Sequence, residues 1–437
     1  MKKKKKNMFY EKQLLVNNIN KYNKYIPYEY INNLEYYNVN SNSWFDINKS
    51  NFDKKIKINI NRESNNNNNN NKIIKCKKLI ILPTDEQHKI LLSWFESYRK
   101  IYNDTLIIIK KLINEKNINM FNFRYIRTHK MKELKQKYMT LTKINSHILD
   151  GAIKLACISY KSAITNYKRG HIKNFRIRFI KQSKKSKILD LEKCYFSNDG
   201  FCIKFLGKML NNEKFNYKEI NKDSKLHYNS KTNRFTLLIP IEVNYKELNN
   251  NNIISIDPGI KTFLTGVSNN NTYKIGTNII NTIKDKLLLI DKYKSIDNKK
   301  SRKRAKIVYS KIYNKITDLH WKSLNYLIKS ENIGNILIGN WSTKDISTNN
   351  SNNHLLPIYK RLASLLRYYS FLQKLQHKCN EYNILYNITE EAYTSKICSK
   401  CSSLCKINKE TRCLECKCKT NLDRDINGCI NILLKNL

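Results

Sequence analysis

Two Cys-x-x-Cys pairs, Cys398/Cys401 and Cys413/Cys416, stand eleven residues apart near the C-terminus. Four thiolates at that spacing satisfy a closed tetrahedral Zn2+ site, which makes these four cysteines the candidate ligands of a structural zinc ribbon. Cys405 and Cys418 are close enough in sequence to take a neighbour's place. Within ten residues of the second pair comes an acid, Asp425. It opens a short amphipathic helix with Ile426, Cys429, Ile430 and Leu433 at i, i+3, i+4 and i+7. Without a secretory segment, twelve cysteines point to metal binding in a reducing compartment rather than to disulfides. Cys76, Cys157, Cys194, Cys202 and Cys379 read as ordinary buried thiols.

Lys and Arg outnumber Asp and Glu by 82 to 35, a formal charge of +47. Such a surplus repels itself unless a polyanion offsets it, so nucleic acid is the expected partner, bound less tightly as salt rises. Part of the lysine excess fits a codon bias that also enriches Asn, Ile and Tyr, but bias does not explain why the cations cluster. The longest apolar runs, such as Leu287 to Leu289, fall far short of a membrane span. The opening MKKKKKNMF has no apolar signal region. An intracellular protein, nuclear or cytoplasmic, with no membrane partner is expected.

Three regions follow from composition and periodicity. Residues 1–72, with a lysine run and an Asn tract from Asn65 to Asn71, read as a mostly disordered tail. Residues 73–250 begin with the strand KIIKCKKLIIL and a capping box, Thr84 with Gln87, that starts a long helix carrying Leu91, Trp94, Phe95, Tyr98, Ile101 and Tyr102. A second helix runs from about His147 to Tyr167. From Phe175 the period switches to two, and FRIRF, CYFSNDGFCIKFLG and LHYNSKTNRFTLLIPIEV read as antiparallel strands. This suggests a small, wedge-like β-barrel interrupted by a helical block for nucleic-acid recognition. Lys168, Arg169, Lys173, Arg176, Arg178 and Lys181, interleaved with Phe175 and Phe179, suit backbone contact plus base stacking; a solvated basic strand is the alternative.

Residues 251–437 give three strands in succession, then two helices, a buried strand NILIGNW, a helix from Leu356 to Tyr382, a strand ending near Thr389, the ribbon at 393–420 and the terminal helix. That is the order of an α/β RNase H-like sheet. Asp257 ends the first strand, where Pro258-Gly259 turns the chain; an Asp there is a turn former or a metal ligand. Asp425 caps its helix or serves as a ligand, and Asp423 can do the capping instead. Gly428 lets that helix approach the sheet near Asp257. Carboxylates gathered at one sheet edge hold Mg2+ or Mn2+.

SIDPGIKTFLT, the ILI strand, EAYTSKICSKC, CLEC and DRDINGCINIL, in that order, resemble the TnpB/OrfB proteins of insertion sequences over roughly residues 73–437. LPTDEQ and SYRKIYN extend the likeness upstream. The resemblance implies a RuvC-type nuclease domain, related to type V CRISPR effectors, that cleaves target DNA under a guide RNA by a two-metal mechanism. One departure stands out: the family's Glu at the end of the middle strand is Gly339 here. The Fanzor branch, found in eukaryotes and large viruses, is similar to TnpB and carries a relocated Glu beside the Y-T-S-K run. Glu390 and Glu391 occupy that place. Neighbours on a strand face opposite ways, and Glu391, adjacent to the motif, is the one chosen. The implied catalytic and metal-binding set is Asp257, Glu391 and Asp425. A strand-transferring transposase, or an inactive nucleic-acid-binding protein that lost its Glu at Gly339, are the alternatives.

Overall fold

The computed structural model describes residues 45–51, 72–213, 215–246, 252–268, 271–330, 333–341, 356–407 and 412–436, with 12–13, 15–17 and 20. The chain divides into two compact units, residues 72–243 and residues 1–71 together with 244–437. The boundaries expected from sequence kept residues 1–72 apart from the C-terminal region and extended the middle domain to 250.

In the first unit, β2 (Lys72–Leu82) leads into α1 (Asp85–Asn114). The capping box forms: the Gln87 N–H donates to Thr84 Oγ1 at 3.3 Å and the Thr84 N–H to Gln87 Oε1 at 3.0 Å. Leu91, Trp94, Phe95, Tyr98 and Ile101 then share one buried stripe, as a helical period of 3.6 requires. Two further helices, α2 (Lys132–Thr142) and α3 (Ser146–Lys168), pack with α1. Strands β3 (Ser186–Leu191), β6 (Leu210–Asn211), β7 (Ser224–Asn229) and β8 (Arg234–Asn244) join β2 in a sheet of order β3-β7-β8-β2-β6. Between β3 and β6, β4 (Phe196–Ser197) and β5 (Gly200–Phe201) make a separate small hairpin. Among the described residues β3 and β6 are edges with no pairing between them, so the sheet is open and the expected barrel is not seen.

FRIRF is not a strand. The chain there is pinned to α1 at Ile180, whose N–H donates to Asn103 Oδ1 (2.8 Å) and whose carbonyl accepts from Arg99 and Asn103. Alternating side chains without a neighbouring strand leave the backbone to find other partners. Within CYFSNDGFCIKFLG, Ile203–Leu206 is a helical turn rather than strand. Cys157, Cys202 and Cys379 are buried as expected, whereas Cys76 and Cys194 are exposed.

In the second unit six strands form one sheet. Its members are β1 (Ile47–Asn51), β9 (Asn252–Pro258), β10 (Leu264–Ser268), β11 (Asn271–Ile275), β12 (Ile333–Gly339) and β13 (Leu385–Thr389). In the order β1-β11-β10-β9-β12-β13, each neighbouring pair from β1 to β9 is antiparallel, and β9, β12 and β13 run parallel. This is the RNase H-like arrangement expected from the element order. Between β11 and β12 lie α4 (Ile279–Ser295) and α5 (Lys299–Ser330); between β12 and β13 lie α6 (Pro357–Leu366) and α7 (Tyr368–Tyr382). The single helix expected over 356–382 is broken at Arg367, which takes a left-handed φ of 52°. Among the described residues no helix is long and apolar enough to cross a membrane.

Strand β1 corrects the expectation of disorder for residues 45–51; most of the remaining 1–72 lies outside the described residues. Ile47 pairs with Ile275 and is 3% exposed. Asp46, also buried, accepts from the N–H of Thr277 (3.0 Å) and of Asn278 (3.2 Å) and from the Thr277 hydroxyl. An acid at the start of α4 satisfies donors that a helix leaves unpaired.

The C-terminal segment adds β14 (Lys406–Ile407), β15 (Cys413–Glu415) and β16 (Asn421–Asp423), a small antiparallel sheet, and then α8 (Arg424–Lys435). Helix α8 is buried from Ile426 to Leu434. One side lies on β9, β10 and β12, where Ile432 and Leu433 cluster with Ile253 and Leu337.

Candidate active site

Parallel pairing puts the C-terminal ends of β9, β12 and β13 at one edge of the sheet, the place where open α/β sheets present their chemistry. Ile338 is in register with Ile256, and Gly339 with Thr389. Asp257, Gly339 and the residues just past Thr389 therefore meet. Asp257 is held there by an immediate turn: the Gly259 N–H donates to Phe263 O at 3.2 Å, and a Cβ on Gly259 would stand 2.7 Å from Thr262 O. From the other direction α8 brings Asp425 in its first turn. Asp423 takes the capping role, accepting from the N–H groups of Asp425 (2.8 Å) and Ile426 (3.3 Å). Gly428 permits the approach, since a Cβ there would lie 2.8 Å from Asp257 Oδ2.

Asp257, Glu391 and Asp425 line one cleft of about 700 Å³ with Lys261, Trp341, Tyr359, Arg412 and Arg424. Glu390 is exposed, and its carbonyl accepts from Lys435 Nζ at 2.9 Å. The choice between the two neighbours follows from Gly339. A Cβ on Gly339 would come within 2.0 Å of Glu391 Oε1 and 2.7 Å of its Cδ and Cγ. The Glu391 side chain thus fills the space that a side chain on residue 339 would enter.

Burial raises the Asp257 carboxyl well above its ordinary range, and the charges of Glu391 and Asp425 push the same way against Arg424 and Arg412. Burial likewise pushes Glu391 up to about 7. Glu391 Oε1 is buried without a hydrogen-bond partner among the described residues. An unpartnered oxygen beside two more carboxylates is costly on its own and fits a hard divalent cation, whose ligands are oxygens. Arg412 meanwhile holds Asp425, its Nη2 donating to Oδ1 at 2.7 Å and Oδ2 at 3.0 Å.

In the ribbon the four sulfurs that gather, all within 4.8 Å, belong to Cys398, Cys401, Cys416 and Cys418. Cys398 and Cys418 Sγ are 3.7 Å apart and Cys401 and Cys416 Sγ 3.2 Å. Thiolates about 2.3 Å from a tetrahedral zinc sit roughly 3.8 Å from each other, so the donor set fits Zn2+. Cys413, expected as a ligand, is outside the group. It lies in β15 paired with Asp423, and the knuckle is instead the turn closed by the Lys419 N–H on Cys416 O at 3.0 Å. An extended strand carries Cys413 away from the sulfurs that a turn brings together.

Lys168 ends α3, and Arg169, Lys173, Arg176, Arg178 and Lys181 follow in the irregular segment after it; all six are exposed. They pair with no acid among the described residues. Phe175 and Phe179 are also exposed, with Lys110 Nζ 5.1 Å above the Phe179 ring.

Sequence reasoning missed Arg412, Arg424, Trp341 and Tyr359 on the cleft wall. It also missed two wholly buried asparagines, Asn427 and Asn431. The asparagines carried a signal: polar residues one turn apart in a helix that is otherwise apolar.

The family model of the Cas12f1-like TNB domain matches residues 368–432, and that of a helix-turn-helix domain named for OrfB of IS605 matches residues 73–117. The latter span contains a strand and one long helix here. A Cas12f1 solved by cryo-EM with sgRNA and target DNA aligns over 83% of this chain and 99% of that one, at 16% identity and a TM-score of 0.49. TnpB-like protein R854 of Acanthamoeba polyphaga mimivirus is 33% identical over 384 residues, covering 82% of this chain and 72% of its own length. TnpB-like protein L770 of the same virus is equally similar, with 82% and 73% covered. With a third of the residues identical over four-fifths of its length, this chain belongs to the TnpB-like family.

Proposed function

We propose that the chain is a divalent-cation-dependent DNA endonuclease directed by a guide RNA, with Asp257, Glu391 and Asp425 as catalytic ligands and one structural Zn2+ in the ribbon. The observation that carries this reading is the meeting of three acids, distant in sequence, in one cleft where Glu391 takes the space left by Gly339. Mg2+ or Mn2+ ions bound there would activate a water and stabilise the leaving oxygen of a phosphodiester. The protein's own groups prepare that step. Asp257 and Glu391 would hold the cations as carboxylates, and Asp425 would join them by leaving its contact with Arg412. Arg412, Arg424 and Lys261 on the cleft wall then offset phosphate charge, while Trp341 and Tyr359 offer flat faces to unpaired bases.

Family membership and the +47 charge support RNA and DNA as partners. The exposed Lys168–Lys181 segment is assigned to backbone contact, with Phe175 and Phe179 as stacking platforms. The inactive alternative rested on Gly339 and loses its main support, because an acid reaches the same point by another route. The test begins with protein carrying its co-purifying RNA, sequenced to define matching DNA. Cleavage requires Mg2+ or Mn2+ and stops in EDTA. Asp257→Ala, Asp425→Ala and Glu391→Gln abolish it while sparing RNA binding; Glu390→Gln does not. Wild-type cutting by either Asp variant rejects the assignment, and joined donor–target products would mean strand transfer instead.

A further inference from the structure

Glu391 does not lie on a strand. Strand β13 ends at Thr389, and Glu391 belongs to the turn that leads into the first zinc knuckle. A catalytic group on a loop is positioned only as well as that loop is held, so the bonds that fix residues 391–399 decide where the carboxylate stands.

Those bonds converge on two side chains. Asn427 and Asn431, one turn apart on α8, are both 0% exposed. Asn431 Nδ2 donates to Thr394 O and to Ile397 O, each at 2.7 Å. Asn427 Nδ2 donates to the same two carbonyls at 3.2 and 2.8 Å, and its Oδ1 accepts from the Ser399 N–H at 3.0 Å. Thr394 in turn reaches Glu391: its N–H and its hydroxyl donate to Glu391 O at 3.2 and 3.0 Å. Asn427 and Asn431 therefore bind the Glu391 turn to the helix whose first residues include Asp425. The spacing between two of the three acids is set by one helix and the four hydrogen bonds its two amides donate.

We infer that Asn427 and Asn431 are positioning residues for Glu391, acting through Thr394. The inference rests on the nuclease reading above and adds what holds the relocated acid in place. Asparagine suits the task because one uncharged amide supplies two donors; both residues use them on the same two carbonyls, Asn427 also accepts through Oδ1, and Asn431 Oδ1 is buried without a partner among the described residues. The knuckle shares the clamp through Ile397 and Ser399, so the ribbon contributes to the same geometry.

The experiment measures single-turnover cleavage against Mg2+ concentration, DNA affinity in EDTA, bound zinc and melting temperature. Asn431→Ala lowers the cleavage rate at least tenfold and raises the Mg2+ needed for half-maximal rate several-fold, with DNA affinity unchanged. Thr394→Val, which removes one hydroxyl donor at constant shape, shifts both quantities in the same direction by a smaller factor without changing zinc content or melting. If Asn431→Ala fails to fold, Thr394→Val decides alone. Wild-type rate and Mg2+ dependence in Thr394→Val, or in a folded Asn431→Ala, overturn the inference. A loss of rate with no change in Mg2+ dependence would mean a structural role only and also overturns it. Asp257→Ala run in parallel separates the two claims: if it still cuts, the nuclease reading fails, whatever the Asn variants do.

Discussion

Gly339→Ala is the sharpest perturbation the site offers, because it separates folding from catalysis. The new Cβ would stand 2.0 Å from Glu391 Oε1 and 2.7 Å from Cδ and Cγ. Ordinary contact needs about 3.4 Å, so the carboxylate has to retreat by more than about 1 Å, a misplacement on the scale that costs roughly 10²-fold in rate. The backbone has no such difficulty. Gly339 does not have a positive φ, and what the methyl meets is the end of a long side chain. Gly to Ala at an unstrained position also restricts the unfolded chain, worth about 0.4–1 kcal/mol in favour of the fold. Gly339→Ala should therefore melt at or slightly above the wild-type temperature while cleavage at fixed Mg2+ falls about a hundredfold. Combining Gly339→Glu with Glu391→Ala, which vacates the space, should recover part of the rate by supplying an acid from β12. Wild-type cutting by Gly339→Ala would refute the assignment of Glu391, as would full activity of Glu391→Ala alone.

Zinc content separates the two readings of the ribbon: Cys418→Ser should lose the ion and Cys413→Ser keep it, as measured by metal analysis of purified protein. In EDTA, a Glu391 carboxyl held at about 7 instead of its ordinary 4.5 binds its proton more tightly in the folded than in the unfolded chain. Stability from this group is therefore present at low pH and lost as pH rises through about 7, so Glu391→Gln should gain on the order of 3 kcal/mol over wild type at pH 8 and little near pH 4.5, read from denaturant midpoints. Mg2+ should shrink that gap at pH 8. Asp46→Ala strands buried donors at the start of α4 and should cost about 2 kcal/mol in chemical denaturation of the full chain; no change would mean that residues 45–51 are dispensable to the sheet.

The elements that sequence revealed are those whose cause is local. The Thr84–Gln87 box, the helical stripe after it and the apolar runs of β9 and β12 each carry their own signal within a few residues. Strand β1 does not: INKSN is polar, and only its pairing with β11 and the bonds to Asp46 make it ordered. FRIRF fails for the converse reason, having the alternation of a strand without a neighbour to pair with. Cys413 was misread because Cys-x-x-Cys spacing presumes a turn, and here the turn begins at Cys416. Helix α8 was read as one-sided, yet its second face is covered by the ribbon turn, which only the two asparagines hinted at.

The reach of Glu391 to the end of β12 has a geometric explanation in the strand order. Strands β12 and β13 are parallel neighbours with Gly339 level with Thr389. Adjacent strands are about 4.8 Å apart, a gap that a glutamate side chain spans. An acid two residues past the end of β13 can thus deliver its carboxylate to the end of β12, provided nothing stands there. Glycine at 339 is then a requirement of the arrangement, since even a methyl group would collide with Glu391. The cost of moving the acid off the sheet is borne by the turn that now carries it, and the buried bonds from Asn427 and Asn431 restore the rigidity that a strand would have supplied. The glycine and the two asparagines are accordingly one device: the first clears the space, and the others aim the side chain that enters it.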